Sequence, residues 1–277
     1  MSVQLTETQR QRLRELNGNR LPLETVFDNT RERDKAFQEA ERDLVEQGRQ
    51  NLLRLRDSNR RPALCRMESA LIESLTSHGF VQVVTPILLS KGLLEKMSIT
   101  SDHALSRQVF WVSQSKCLRP MLAPHLYFLL RSLTRSWGKP IRIFEVGPCF
   151  RKESRGSEHL EEFTMLNLVE LGCSEEDRYE RLKELAHVVM KASEVEQYEF
   201  VSRSSEVYGE TIDVVSSMEL GSCAMGPHPL DNAWGITDPW VGLGFGLERL
   251  VMLKEKHQSI QHFGRSLVYL DGVRLNI

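Results

Sequence analysis

The chain has 277 residues, a mass of 31.9 kDa and a formal net charge of −2, from 36 basic and 38 acidic side chains. Its composition, 40% apolar and 27% charged, is that of a globular protein long enough to bury a core without disulfide or metal staples. The near-neutral balance excludes a uniformly basic nucleic-acid binder but leaves room for a local basic face.

No run approaches the ~20 apolar residues of a membrane helix. The polar start, Met1 to Arg10, lacks the layout of a signal peptide. Cys65, Cys117, Cys149, Cys173 and Cys223 form no C-x-x-C pair, so the expectation is a cytoplasmic protein with reduced thiols.

In chain order, Thr6 and Gln9 have the spacing of a capping box opening a short helix, and Asn17-Gly18 and Pro22 break it. A charged helix is predicted over 30–56, with Ala36, Phe37, Leu44, Val45, Leu52 and Leu53 on one face. Within 49–61, Arg49, Arg54, Arg56, Arg60 and Arg61 face only Asp57, which reads as a solvated face or a phosphate-contacting patch.

Leu64, Met67, Leu71 and Leu75 mark an amphipathic helix with Pro62 at its start and His78-Gly79 at its stop. Next come a strand over 80–84, a short helix over 91–97, a strand over 108–112 and a helix over 124–135. Two strands, 141–151 and 162–171, flank a polar loop, 152–161. Ser174 to Asp177 is expected to cap a helix running to about Ala192. Short strands follow near 199–203, 211–215 and 222–225, then a helix from Gly246 to Lys256 and a terminal hairpin at Asp271-Gly272. Because strands and helices do not alternate strictly, the fold class is α+β: a mixed, mostly antiparallel sheet flanked by helices and preceded by N-terminal helices.

Three segments carry chemistry. The run Phe144 to Arg151, then His159 to Asn167, is strand, charged loop, strand. It places the rigid guanidinium of Arg151 where it can fork onto a phosphate or carboxylate; the alternative is an exposed hairpin with an Arg151–Glu153 ion pair. Gly242, Gly244 and Gly246 lead directly into a helix whose first turn carries Arg249, where peptide N–H groups already favour anions. The alternative there is a glycine-rich connection with no ligand. Gly79 to Pro86 shows only helix end, strand and proline stop.

In this order and spacing the three segments resemble motifs 2, 3 and 1, respectively, of class II aminoacyl-tRNA synthetases. The strings Leu118 to Pro124, Arg151 to Ser154, His159 to Asn167 and Phe245 to Leu250 narrow the resemblance to the pyrrolysyl-tRNA synthetases. Pro239 to Gly246 and the ending Tyr269 to Ile277 resemble the bacterial branch, in which a separately encoded subunit carries the N-terminal tRNA-binding domain.

The resemblance implies a catalytic domain over 62–277, a tRNA-contacting helical extension over 1–61, and a homodimer built through the first motif. It implies ATP contacts at Arg151, Glu153, His159, Leu160, Phe163, Glu219, Ser222 and Arg249, with Mg²⁺ on Glu219 and Ser222 and the two arginines as catalytic groups. The types suit those roles: Phe163 offers a ring for adenine, and Glu219 and Ser222 offer the oxygens that Mg²⁺ prefers.

The resemblance also implies an amino-acid pocket of Ala123, Leu126, Tyr127, Leu130, Met165, Asn167, Val169, Tyr208 and Trp240. Asn167 would bond the amide carbonyl of pyrrolysine and Tyr208 would close over its ring. Two residues depart from the family pattern. His125, expected behind the pocket or facing solvent, replaces an Asn; Leu243, expected to narrow the glycine segment, replaces an Ala.

The implied activity is two-step ligation of pyrrolysine to its cognate amber-suppressor tRNA: ATP-dependent adenylate formation, then transfer to the tRNA 3′ end. The rivals are an amino-acid adenylating ligase with a non-tRNA acceptor, against which the 49–61 arginines argue, and a non-catalytic tRNA-binding paralogue, against which intact Arg151, Glu219 and Arg249 argue.

Overall fold

The computed structural model describes residues 2–18, 21–152, 160–205 and 207–277. The N-terminal part contains β1 (Val3–Gln4), α1 (Glu7–Glu15), β2 (Val26–Phe27) and α2 (Thr30–Arg54). The rest runs α3 (Ala63–Ser77), β3 (Val81–Gln82), β4 (Leu88–Ser90), α4 (Lys91–Glu95), α5 (Ala104–Arg107), β5 (Lys116–Leu118), α6 (Ala123–Leu133), β6 (Ile141–Phe150), β7 (Glu162–Leu171) and α7 (Arg178–Ala192). It continues with β8 (Glu199–Ser205), β9 (Gly209–Val215), β10 (Glu219–Gly226), α8 (Asp231–Trp234), β11 (Trp240–Gly246), α9 (Leu247–Lys254), β12 (Tyr269–Leu270) and β13 (Val273–Arg274).

Seven strands make the central sheet in the order β3-β6-β7-β11-β10-β9-β8. Every pairing is antiparallel except the parallel one between β3 and β6. The expected mixed, mostly antiparallel α+β sheet is therefore present. One face is packed by α3, α7 and α9 through Leu71, Leu75, Leu185, Val189, Leu250 and Val251, which meet Leu166, Leu168, Leu243 and Phe245 of the sheet. The other face packs a second cluster that includes Leu126, Leu130, Trp234 and Trp240.

Several local signals form as read. Thr6 and Gln9 make both hydrogen bonds of the capping box. Gly79 closes α3 at φ +81°, a conformation that suits glycine. Four expectations need correction. Residues 108–112 are not a strand: a helical turn, α5, precedes them, and Trp111 makes a lone bridge to Cys117. Only Val81–Gln82 of 80–84 pairs as strand. Asp177 begins α7 with no side-chain cap bond. The long helix ends at Arg54 and loosens into a wider turn over Leu55–Asn59, closed by Arg60 at φ 58°.

That turn redirects the arginine-rich stretch. Arg56 forks onto Asp57 at 2.7 and 2.8 Å, Arg54 donates to Asn51, and Arg61 donates to the Cys65 carbonyl and the Ser69 hydroxyl. All five cysteines are free, and burial pushes the Cys117 and Cys149 thiols up to about 11 and about 12, which keeps them protonated and unreactive. Among the described residues no helix is long and apolar enough to cross a membrane.

Pro62 caps α3 without a side-chain bond, and the missing acceptor comes from the far end of the chain: Asp271, in the β12–β13 turn, accepts from the Ala63 N–H. Asp271→Ala removes this cap and should lower stability by about 1 kcal/mol, whereas Asp271→Asn, which keeps the acceptor oxygen, should recover most of it. Thermal melts of the two variants check this; equal losses would mean that the ion pair from Arg66 to Asp271, at 3.8 Å, carries the effect.

Candidate active site

Side chains of a strand alternate between faces, and β7 and β11 use the alternation to separate core from cavity. On β7, Leu166 and Leu168 enter the helix-covered core, while Phe163, Met165, Asn167 and Val169 face a cavity of about 650 Å³. On β11 the core side carries Val241, Leu243 and Phe245, and the cavity side Trp240, Gly242, Gly244 and Gly246. Helix α6 closes one wall with Ala123, Leu126, Tyr127 and Leu130.

Arg151, Leu160, Tyr208, Glu219, Ser222 and Arg249 also line it, so every described residue that the sequence singled out for ATP or amino acid borders this one cavity. Glu153 and His159 lie outside the described residues.

One end is rich in arginine. Arg151 follows directly on β6, donates from Nε to the Pro120 carbonyl at 2.9 Å, and lies 5.3 Å from the centre of the Phe163 ring. Arg249, in the first turn of α9, donates to the Glu219 carbonyl at 2.8 Å and lies 3.5 Å from its carboxylate. Ser222 donates its hydroxyl to Asp213 at 2.7 Å, leaving the oxygen lone pairs free to accept or ligate. Among the described residues no group of three or more His, Cys, Asp or Glu side chains is placed to hold a metal. Two oxygens, from Glu219 and Ser222, do fit Mg²⁺, which keeps several waters and takes further ligands from phosphates rather than from an all-protein cage.

The other end is apolar and backed by a polar cluster that sequence reasoning missed. Asp231, at the start of α8, is 3% exposed. It accepts from the Trp240 indole at 2.9 Å, the His228 N–H at 2.7 Å and the Tyr127 hydroxyl at 3.2 Å. Burial, reinforced by the Tyr208 and Asp231 oxygens, raises the Tyr127 phenol, so it stays a donor. His228 takes the Leu230 N–H on Nδ1 and therefore donates from Nε2 to the Tyr208 carbonyl, at 2.9 Å.

The glycines make room for these groups. A Cβ on Gly226 would sit 1.8 Å from the Trp240 indole nitrogen, and one on Gly244 would crowd the Asn167 amide oxygen at 3.1 Å. Among the described residues nothing hydrogen-bonds the Asn167 amide, which is left facing the cavity. The only local signals for the missed groups were an aspartate after Pro229-Leu230 and a histidine between two prolines, and neither names a partner.

The two family departures are both buried, His125 outside the cavity lining and Leu243 at its margin. His125 does not face solvent: it is 8% exposed and pairs with the Thr85 hydroxyl at 3.2 Å on the far side of α6. Leu243 is fully buried in the helix-covered core cluster and also borders the cavity.

A family model for the class II core domain (F) of tRNA synthetases matches residues 9–271. The chain superposes on the crystal structure of pyrrolysyl-tRNA synthetase from Desulfitobacterium hafniense with a TM-score of 0.94 and 55% identity, covering 98% of each chain. A second structure from that organism, the pyrrolysyl tRNA synthetase PylSc, gives a TM-score of 0.92 and 54% identity over 99% of this chain and 95% of that one.

Curated relatives match over shorter segments. A threonine–tRNA ligase from Wolbachia sp. subsp. Brugia malayi is 38% identical over 96 residues, 34% of this chain but 15% of the relative. A lysine–tRNA ligase from Thiobacillus denitrificans is 34% identical over 103 residues, 36% of this chain and 18% of the relative. The chain thus spans less than a fifth of these curated relatives. It belongs to the class II tRNA synthetase family, which uses ATP, typically with Mg²⁺.

Beside Arg249, Glu248 is 2% exposed and both its oxygens receive the Thr164 N–H, at 2.8 and 3.0 Å. Burial pushes its carboxyl up to about 7. A folded-state value above the unfolded one contributes stability at low pH that is lost as pH rises through about 7. Glu248→Gln, which keeps one acceptor for Thr164, should abolish that loss. Melting curves between pH 5 and 8 should show the natural protein falling relative to the variant by at most about 3 kcal/mol. Parallel curves would mean that the carboxyl titrates in the ordinary range.

Proposed function

We propose that the chain ligates pyrrolysine to its cognate amber-suppressor tRNA: it forms the aminoacyl adenylate from ATP and then transfers the amino acid to the tRNA 3′ end. The observation that carries this reading is one cavity that joins the Arg151 and Arg249 guanidiniums and the Phe163 ring at one end to an apolar pocket at the other, with the Asn167 amide between them, unpaired among the described residues. The near-complete alignment with the D. hafniense pyrrolysyl-tRNA synthetases supports the choice of amino acid.

In this reading Phe163 stacks the adenine, Arg151 holds the α-phosphate and the substrate carboxylate, and Arg249 holds the terminal phosphates. Glu153, His159 and Leu160 complete the nucleotide contacts. Glu219 and Ser222 would hold Mg²⁺, which would supply positive charge at the phosphates. The substrate carboxylate is ionised at neutral pH, so the chain supplies no general base; its residues position the reactants and stabilise the charge that develops at phosphorus. Ala123, Leu126, Tyr127, Leu130, Met165, Val169 and Trp240 enclose the long side chain, Asn167 bonds its amide carbonyl and Tyr208 covers the ring.

Residues 62–277 form the catalytic domain in this reading, and residues 1–61 with Arg49, Arg54, Arg56, Arg60 and Arg61 contact tRNA. Exposed Val81, Val84, Ile87 and Leu88, on and beside the sheet's edge strand, support a homodimer through that edge. A separate subunit supplies further tRNA contacts, and the protein works in the cytoplasm.

Pyrophosphate exchange with pyrrolysine, followed by charging of the cognate tRNA, tests the assignment. Both should be observed; no exchange would end the enzyme reading, and exchange without charging would favour a ligase with a non-tRNA acceptor. Asn167→Ala should cost about 1–3 kcal/mol in kcat/KM for pyrrolysine with little change in the KM for ATP. Arg151→Ala should lower exchange by about 10²–10³-fold with the fold intact by circular dichroism. Equal losses for both substrates in the first variant would make Asn167 structural, and retained exchange in the second would remove Arg151 from the chemistry.

A further inference from the structure

We propose that Asp231 is the positioning residue that sets the shape of the amino-acid end of the cavity, holding three of its walls to one buried carboxylate; this rests on the pyrrolysine-ligase reading. The walls come from distant parts of the chain: Tyr127 from α6, Trp240 from the start of β11, and Tyr208 from the turn between β8 and β9. Tyr127 meets Asp231 Oδ1, while Trp240 and the His228 N–H meet Oδ2. His228 passes the constraint on by donating to the Tyr208 carbonyl.

The rings are in mutual contact as well. Tyr127 and Trp240 meet edge to face with centroids 5.7 Å apart, and Tyr208 lies 6.2 Å from Trp240. Asp231 itself does not line the cavity, so it acts only through these partners. Trp240 and the His228 N–H can only donate, whereas the Tyr127 hydroxyl can also accept. An amide in place of the carboxylate must therefore either oppose the two N–H groups or force the Tyr127 hydroxyl to reverse from donor to acceptor, and either change disturbs a wall.

Steady-state pyrophosphate exchange with ATP and pyrrolysine varied separately tests the proposal. Asp231→Asn should raise the KM for pyrrolysine about tenfold or more and leave that for ATP within about twofold. Tyr127→Phe should act in the same direction but more weakly. The double variant should cost less than the sum of the two single effects, because both changes act on the same Tyr127–Asp231 hydrogen bond. A parallel rise in both KM values, an unchanged pyrrolysine KM, or additive single effects would overturn the proposal.

A natural protein inactive with pyrrolysine would instead overturn the functional reading. The anchor is then read from the indole N–H resonance of Trp240 in ¹⁵N-labelled protein, assigned with Trp240→Phe. That resonance should shift in Asp231→Asn, and an unmoved signal would overturn the anchor itself.

Discussion

The ion pair between Arg119 and Glu145, 2.7 Å long with the side chains 2% and 1% exposed, is the constraint on which the cavity's geometry depends. Burying two charges is costly unless every remaining donor and acceptor is met. Here the surroundings are arranged to meet them. Arg119 donates to the carbonyls of Pro148 and Thr85 and to the Thr85 hydroxyl. Glu145 accepts from the Thr85 hydroxyl and N–H. Gly147 is what lets the guanidinium in, since a Cβ there would lie 2.3 Å from Nη2.

The same residues fix Arg151: the Phe150 N–H bonds the Arg119 carbonyl and Arg151 Nε bonds the carbonyl of neighbouring Pro120. A residue near the sheet's edge, Thr85, is therefore linked through one buried pair to the arginine that faces the cavity. His125 is absorbed into this network. With its own proton given to Glu145, the Thr85 oxygen accepts from Arg119 and has a lone pair left for His125 Nδ1–H. Burial, helped by the Arg119 charge, lowers the His125 pKa and keeps the ring neutral beside a cation.

How far the sequence could be read followed the range of the interactions. Local rules sufficed for the capping box at Thr6, the amphipathic periodicity of α3 and the Asp271-Gly272 hairpin, because residues a few positions apart decide each. The family's order of motifs was enough to gather residues from α6, β7, β10, β11 and α9 around one cavity. Local reading failed where distant partners decide. The apolar run Val109 to Val112 has strand composition, yet it meets the short strand β5 only through a lone bridge: the Phe110 carbonyl receives Leu118 N–H, and Val112 N–H reaches the Lys116 carbonyl. The N-terminus of α3 has no cap within its own segment because Asp271 supplies it across the fold. Asp231, His228 and Asp213 were invisible for the same reason: a buried carboxylate is identified by its donors, and those lie on other elements.

The two ends of the cavity treat charge in opposite ways, and this is the last consequence of the sheet's alternation. At one end guanidiniums and the Glu219 carboxylate reach the cavity surface, where an incoming polyanion can bind them directly. At the other end the Asp231 carboxylate is withdrawn behind the rings it supports, and neutral donors surround it. The wall there presents ring faces and aliphatic carbon, with Asn167 as a polar exception between the two ends. The divide falls along β7 itself, where Phe163 stands beside Arg151 and, three alternate positions on, Val169 stands in the apolar cluster with Trp240. A strand with period two can carry that change of environment on one face while its other face keeps Leu166 and Leu168 in the core.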